Sequence, residues 1–289
     1  MTNRLLAIGA DTIGLEFCTG DARLVSTVFE RCGYQVRQAE PSQTSVQEAF
    51  FSFLDECGRA DTAILYFAGH GLAEADRLFF VLDDDTSRRS NLVDLSQTLK
   101  DFGTCPANNR LVILDCCNAS HAAHAHWKLA PSERHLLLGA ARFLENARES
   151  SRIQGGVLTH YICASLKASA RPARCVTIRS LYDEVCRGID EHNQQYPLER
   201  APTPVLLGQL DDFVIAEMNE GVWTRILEHL ERGPSGRREL RGFCDLSQEQ
   251  LNELLDDLKG STYVGEMDGV LFLAPKGRRR LDESRNSKP

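Results

Sequence analysis

The sequence has no run of about 18 consecutive apolar residues, so no membrane-spanning helix is expected. Its first stretch, MTNRLLAIGADTIG, reaches Asp11 after a short apolar core and lacks a secretory leader pattern, which points to a cytoplasmic protein. None of the ten cysteines stands in a Cys-x-x-Cys pair, so structural zinc is not expected, and most thiols read as reduced packing residues. Basic residues are not in excess: 33 Lys and Arg face 41 Asp and Glu, for a net charge of -8. Nucleic acid is therefore an unlikely partner, because neutralising phosphates needs clustered cations. There is also no internal repeat and no low-complexity tract.

What is present is an ordinary globular composition, 42% hydrophobic and 26% charged over 289 residues. That length suits one large domain and one small one. The first half alternates apolar runs with amphipathic stretches. Arg4–Ala10, Asp61–Gly71, Asn109–Cys117 and RHLLLGAA read as buried strands, with YQVRQ, RLFFVLDDD and TPVLLG as further candidates. Between them, helices are predicted over Asp21–Tyr34 (Leu24, Val28 and Phe29 on one face), SVQEAFFSFLDECG, LVDLSQTLKDFG, GGVLTHYICASLKA and TIRSLYDEVCRGIDEHN. This order predicts an α/β fold, an αβα sandwich around a mainly parallel sheet. In such sheets, sites lie beyond the carboxyl ends of the strands, where His70 and Cys117 both fall.

The pair has a chemical reading. Thiolate is the reactive form of cysteine, and a nearby imidazole can take its proton. Backbone N–H groups at a strand end can hold an oxyanion. Taken singly, a strand-end histidine is more often structural and a strand-closing cysteine more often packing. Together, with glycines flanking the histidine, they suit acyl transfer.

AILYFAGHG followed by RLVILDCCNAS resembles the caspase-like cysteine peptidases, the clan of caspases, metacaspases and paracaspases. A histidine roughly 50 residues before the cysteine is a spacing known for caspases. The resemblance extends over about residues 4 to 210. It includes CTGDA, similar to the family's Cys-x-x-Asp-Ala, and GGVLTHYICASL, similar to its Gly-x-Phe-Thr helix with Leu158 for Phe. It implies a Cys117/His70 dyad, with Cys116 in the variable place of Asp-x-Cys. The oxyanion hole would be the N–H groups of Gly71 and Cys117. Asn118 and Ser120 depart from a common His and Gly.

In metacaspase-type relatives the Asp before the nucleophile and the Asp of Cys-x-x-Asp-Ala form an acidic S1 pocket. These correspond to Asp115 and Asp21. Two buried carboxylates repel unless a cation joins them, and a substrate Arg or Lys is such a cation. Cleavage after Arg or Lys is the expectation, so the partner is a protein substrate with a basic P1 residue. The plainer readings are a helix N-cap for Asp21 and a strand-end hydrogen bond for Asp115. No cofactor is required. Asp83, Asp84 and Asp85 are calcium candidates against the plainer reading of a solvated loop. His121, His124 and His126 lack helical i, i+4 pairing and are not read as a metal site. Lys128, Arg148 and Arg152 are candidates for self-cleavage.

The expected boundaries are 1–212 for the peptidase domain, 220–276 for a small domain and 277–289 for a frayed polar tail. Helix, helix, helix and a hairpin turning at Asp268-Gly269 resemble a winged helix. Its recognition helix would carry Glu249, Glu253, Asp256 and Asp257 against Lys259, which suits a docking regulatory protein better than DNA. A stress, cell-death or defence setting fits the family. The rival reading is a non-catalytic scaffold or adaptor working through the C-terminal module.

Overall fold

The computed structural model describes residues 3–12, 14–74, 77–117, 119, 135–140, 149–150, 152–168, 175–208, 212–217, 220–244 and 248–286. The chain divides into two compact units, the first holding residues 1–168 and 175–217, the second 169–174 and 218–289.

The first unit is built on one sheet. Strands β1 (Asn3–Gly9), β2 (Tyr34–Ala39), β3 (Thr62–Glu74), β6 (Asn109–Cys116) and β7 (Leu136–Gly139) pair in parallel in the order β7-β6-β3-β1-β2. Strand β11 (Val205–Leu207) closes the β7 edge antiparallel. Strands β4 (Arg77–Val81) and β5 (Leu92–Asp94) extend the far end of β3 as an antiparallel hairpin.

Both faces of the central strands are apolar, and alternation sends their residues to two cores. Leu5, Ala7, Ile64, Tyr66, Leu111 and Ile113 face one core with helices α1 (Cys18–Arg31), α4 (Val157–Ala168) and α5 (Ile178–Gln195). Leu6, Ile8, Leu65, Phe67, Val112 and Leu114 face the other, under α2 (Gln43–Glu56) and α3 (Leu95–Gly103). This is the expected sandwich. Side chains cap the helices where the sequence offers them: Ser42 accepts from Ser45 N–H, Asp94 from Ser96 N–H, and Thr177 forms a capping box with Ser180.

Two boundaries differ from the sequence reading. Helix α1 begins at Cys18 rather than Asp21: Glu149 holds the N–H groups of Glu16 and Phe17 just before it, and Asp11 accepts the first-turn N–H of Thr19 at 2.9 Å. Strand β3 does not stop at Gly71 but runs to Glu74, because β4 supplies new hydrogen-bond partners where β6 ends. Two short pieces near the site, β8 (Glu149–Ser150) and β9 (Gly155–Gly156), pair with each other. A further pair, β10 (Cys175–Thr177) with β12 (Val214–Glu217), was not foreseen.

The second unit holds α6 (Glu220–Arg232), β13 (Ser235–Gly236), α7 (Arg237–Cys244), α8 (Gln248–Gly260), β14 (Val264–Met267), β15 (Val270–Leu273) and α9 (Pro275–Asn286). Its core gathers Trp223, Ile226, Leu240, Leu251, Leu255, Leu271 and Leu281. The hairpin turns at Asp268 and Gly269, both at positive φ as a type I′ turn requires. Of the expected frayed tail, residues 277–286 are instead helical, within α9. Leu281 is buried in the core and Arg285 pairs with Glu231 of α6 at 2.7 Å, so one apolar side chain and one ion pair anchor a mostly charged helix.

Candidate active site

The parallel pairing of β3 with β6 ends at Gly69 opposite Cys116, and His70 then stands opposite Val81 of β4. His70 is therefore the next residue of β3, and Cys117 the first residue after β6. Alternation assigns His70 to the face of Tyr66 and Ala68, and Cys117 to the face of Ile113 and Asp115, which is the same face. Cys116 points the other way and is fully buried in the opposite core. Burial pushes its thiol far above the ordinary cysteine range. Cys117 is half-buried. A side chain on Gly71 would collide with the Cys117 carbonyl oxygen, so glycine is needed for the strands to approach this closely.

Cys117 opens onto a small cleft lined also by Asp21, Asp115, Glu149, Cys18 and Gly156. Asp21 and Asp115 are buried, with 5% and 7% of their surface exposed. Gly156 N–H donates to Asp21 Oδ2 at 2.7 Å. Thr159 donates twice to Asp115 Oδ2, from its N–H at 3.0 Å and its hydroxyl at 2.6 Å. Burial, and next the charge of Asp115, raise the Asp21 carboxyl to about 8. Burial raises Asp115 to about 6, against the Thr159 hydrogen bonds that favour its charge. Any Cβ on Gly156 would run into Asp115, so the β8–β9 hairpin presses its glycine backbone against both acids.

The N-cap reading of Asp21 is thereby corrected. The N-cap residue is Phe17, with no side-chain cap, and Asp21 lies inside the helix with its carboxylate turned to Gly156. Asp115 does make strand-end hydrogen bonds, though to Thr159 in the first turn of α4 rather than to a loop, and lines the cleft as well.

Sequence reasoning missed Glu149. It sits in a polar stretch without periodicity, and only the fold carries it to the cleft. There it accepts from Glu16 N–H at 3.0 Å, Phe17 N–H at 3.2 Å and the Cys18 thiol at 3.3 Å. Burial, then Glu149, push the Cys18 thiol well above its ordinary range. Thr159 was legible as part of a motif, but not as the partner of Asp115.

The other candidates lie elsewhere. Asp83, Asp84 and Asp85 are exposed. Asp83 accepts from Asp85 N–H and Asn91, while Asp85 pairs with Arg88 at 2.9 Å. Among the described residues no group of three or more His, Cys, Asp or Glu is placed to hold a metal ion. Arg152 pairs with Glu199 at 3.2 Å and lies over the Tyr196 ring. Asn118, Ser120, His121, His124, His126, Lys128 and Arg148 lie outside the described residues. Among the described residues no helix is long and apolar enough to cross a membrane.

A mainly parallel sheet between two helical layers, with a histidine on one central strand and a cysteine just after its neighbour, defines the class as a caspase-like α/β fold. The family model described as Caspase domain matches residues 6–207, and the chain belongs to that family of cysteine peptidases. Among solved structures, caspase-1 from Spodoptera frugiperda is similar in fold, with a TM-score of 0.55 and 13% identity over 75% of this chain and 90% of that one. No curated protein matches the sequence.

Proposed function

We propose that the chain is a cysteine endopeptidase of metacaspase-like type that cleaves after Arg or Lys. Cys117 is the nucleophile. His70 takes its proton as the sulfur attacks the scissile carbonyl, then gives that proton to the leaving amine. Water hydrolyses the acyl-enzyme by the same route. The N–H groups of Gly71 and Cys117 hold the oxyanion, and Asp21 and Asp115 receive the basic side chain. The observation that carries this reading is the cleft itself, in which Cys117 shares one wall with two buried carboxylates. A buried acid pair beside a nucleophile suits a cationic P1 group and opposes an aspartate.

No cofactor is needed for this chemistry, and Asp83, Asp84 and Asp85 stand as the calcium candidates. The second unit is a winged-helix-like module that docks a regulatory protein rather than nucleic acid. The setting is a regulated cytoplasmic stress, cell-death or defence response.

Fluorogenic peptides ending in Arg, Lys and Asp, assayed with wild type, Cys117→Ala and Cys116→Ala, test this. Turnover of the basic peptides that disappears only in Cys117→Ala is expected. Absence of turnover in wild type favours a scaffold, and preferential cleavage after Asp refutes the assigned pocket.

A further inference from the structure

Two of the three acids lining the cleft, Asp21 and Asp115, have unequal hydrogen-bonding partners. Asp115 Oδ2 accepts two donors from Thr159, and the Thr159 hydroxyl lies 2.6 Å from the fully buried Tyr66 hydroxyl. An ionised carboxylate only accepts, so the Thr159 proton goes to Asp115 and the Tyr66 proton goes to Thr159. This one-way chain favours negative charge on Asp115. Among the described residues, Asp21 Oδ2 accepts from one backbone donor, Gly156 N–H. Around the pair lie Asp11, Glu149, Cys18, Cys163, Tyr66 and Cys117, with His70 at the same sheet edge. No lysine or arginine is among these described residues.

We infer that the unliganded pair carries one proton, held on Asp21, and that an entering guanidinium or ammonium group expels it to solvent. Thr159 is the positioning residue that decides which acid keeps the charge. The inference rests on the basic-P1 reading above and adds its regulation. Free, the cleft bears one negative charge from the pair and one O–H. Occupied, the pair is two carboxylates flanking one cation, and one proton has left for water. Basic ligands thus bind more weakly as the medium becomes more acid, independently of the Cys117 and His70 chemistry. The raised carboxyls agree with this sharing.

Infrared difference spectra of the full unliganded chain between pH 6.5 and 9.5 test the pair directly. A protonated-carboxyl band lost on raising the pH, and missing in Asp21→Asn, is expected. Its absence from wild type overturns the inference and leaves the basic-P1 reading standing. The inhibition constant of benzamidine against an Arg peptide tests displacement. It should fall roughly tenfold from pH 6.5 to 7.5 and level off near pH 9, as loss of one proton demands. A flat profile with tight binding overturns displacement alone. No inhibition at any pH, with no cleavage after Arg or Lys, overturns displacement together with the specificity. In Thr159→Val, benzamidine should bind roughly tenfold more weakly at pH 7 and match wild type near pH 9.5. A merely structural role would weaken binding equally at every pH.

Discussion

Replacing Asp21 with Asn should stabilise the protein in alkaline solution while disabling its cleft. Asn keeps the shape and an oxygen for Gly156 N–H but cannot ionise. In wild type the carboxyl is raised from its ordinary 3.8 to about 8. Between those values the folded state holds a proton that the unfolded state has lost, so stability falls as pH rises and levels off above about 8. At 1.36 kcal/mol per unit, this single group removes about 3 kcal/mol between pH 5.5 and pH 8.5. For a unit of this size that corresponds to roughly 6–12 °C in Tm. Thermal unfolding of wild type and Asp21→Asn across this range measures it. The difference between their melting temperatures should widen with pH in favour of the variant. Cleavage of an Arg peptide should fall about 100-fold, since one of the two cation-binding charges is gone. A gap that is constant in pH, or a variant less stable than wild type at pH 8.5, refutes the placement of this acid in a desolvated pair.

Gly71→Ala forces a methyl group into the Cys117 carbonyl. It should cost about 1–3 kcal/mol in urea unfolding, and about 100-fold or more in turnover through displacement of Cys117, the proposed nucleophile. Leu281→Ala should destabilise the second unit by about 2–5 kcal/mol, read by chemical denaturation; no change would mean that α9 is not anchored by this side chain. EDTA, and separately Asp83→Ala, should leave turnover unchanged, because Asp83 already accepts from Asp85 N–H and Asn91 within the loop. A calcium-dependent rise in rate that Asp83→Ala abolishes would refute that.

Much of the architecture was legible in the chain itself. Doubly apolar runs such as LVIL and AILYF can be satisfied only between two layers, and amphipathic helices between them make the sheet mainly parallel. That is enough to bring His70 and Cys117 to one edge. The small domain's hairpin was legible too, because Asp268-Gly269 suits a turn with two positive φ angles. The terminal helix was not, since a single leucine among charges carries no periodic signal.

The sequence by itself determined the strand pattern, the register of Cys117 and the candidacy of Asp21 and Asp115, because alternation and motif spacing are local properties. Only the tertiary structure decided that the two acids lie together, that Thr159 and Gly156 divide the hydrogen bonds between them unequally, and that Glu149 holds the residues leading into the first helix beside them. Those contacts join residues far apart along the chain, and burial of charge is a property of the assembled interior rather than of any segment.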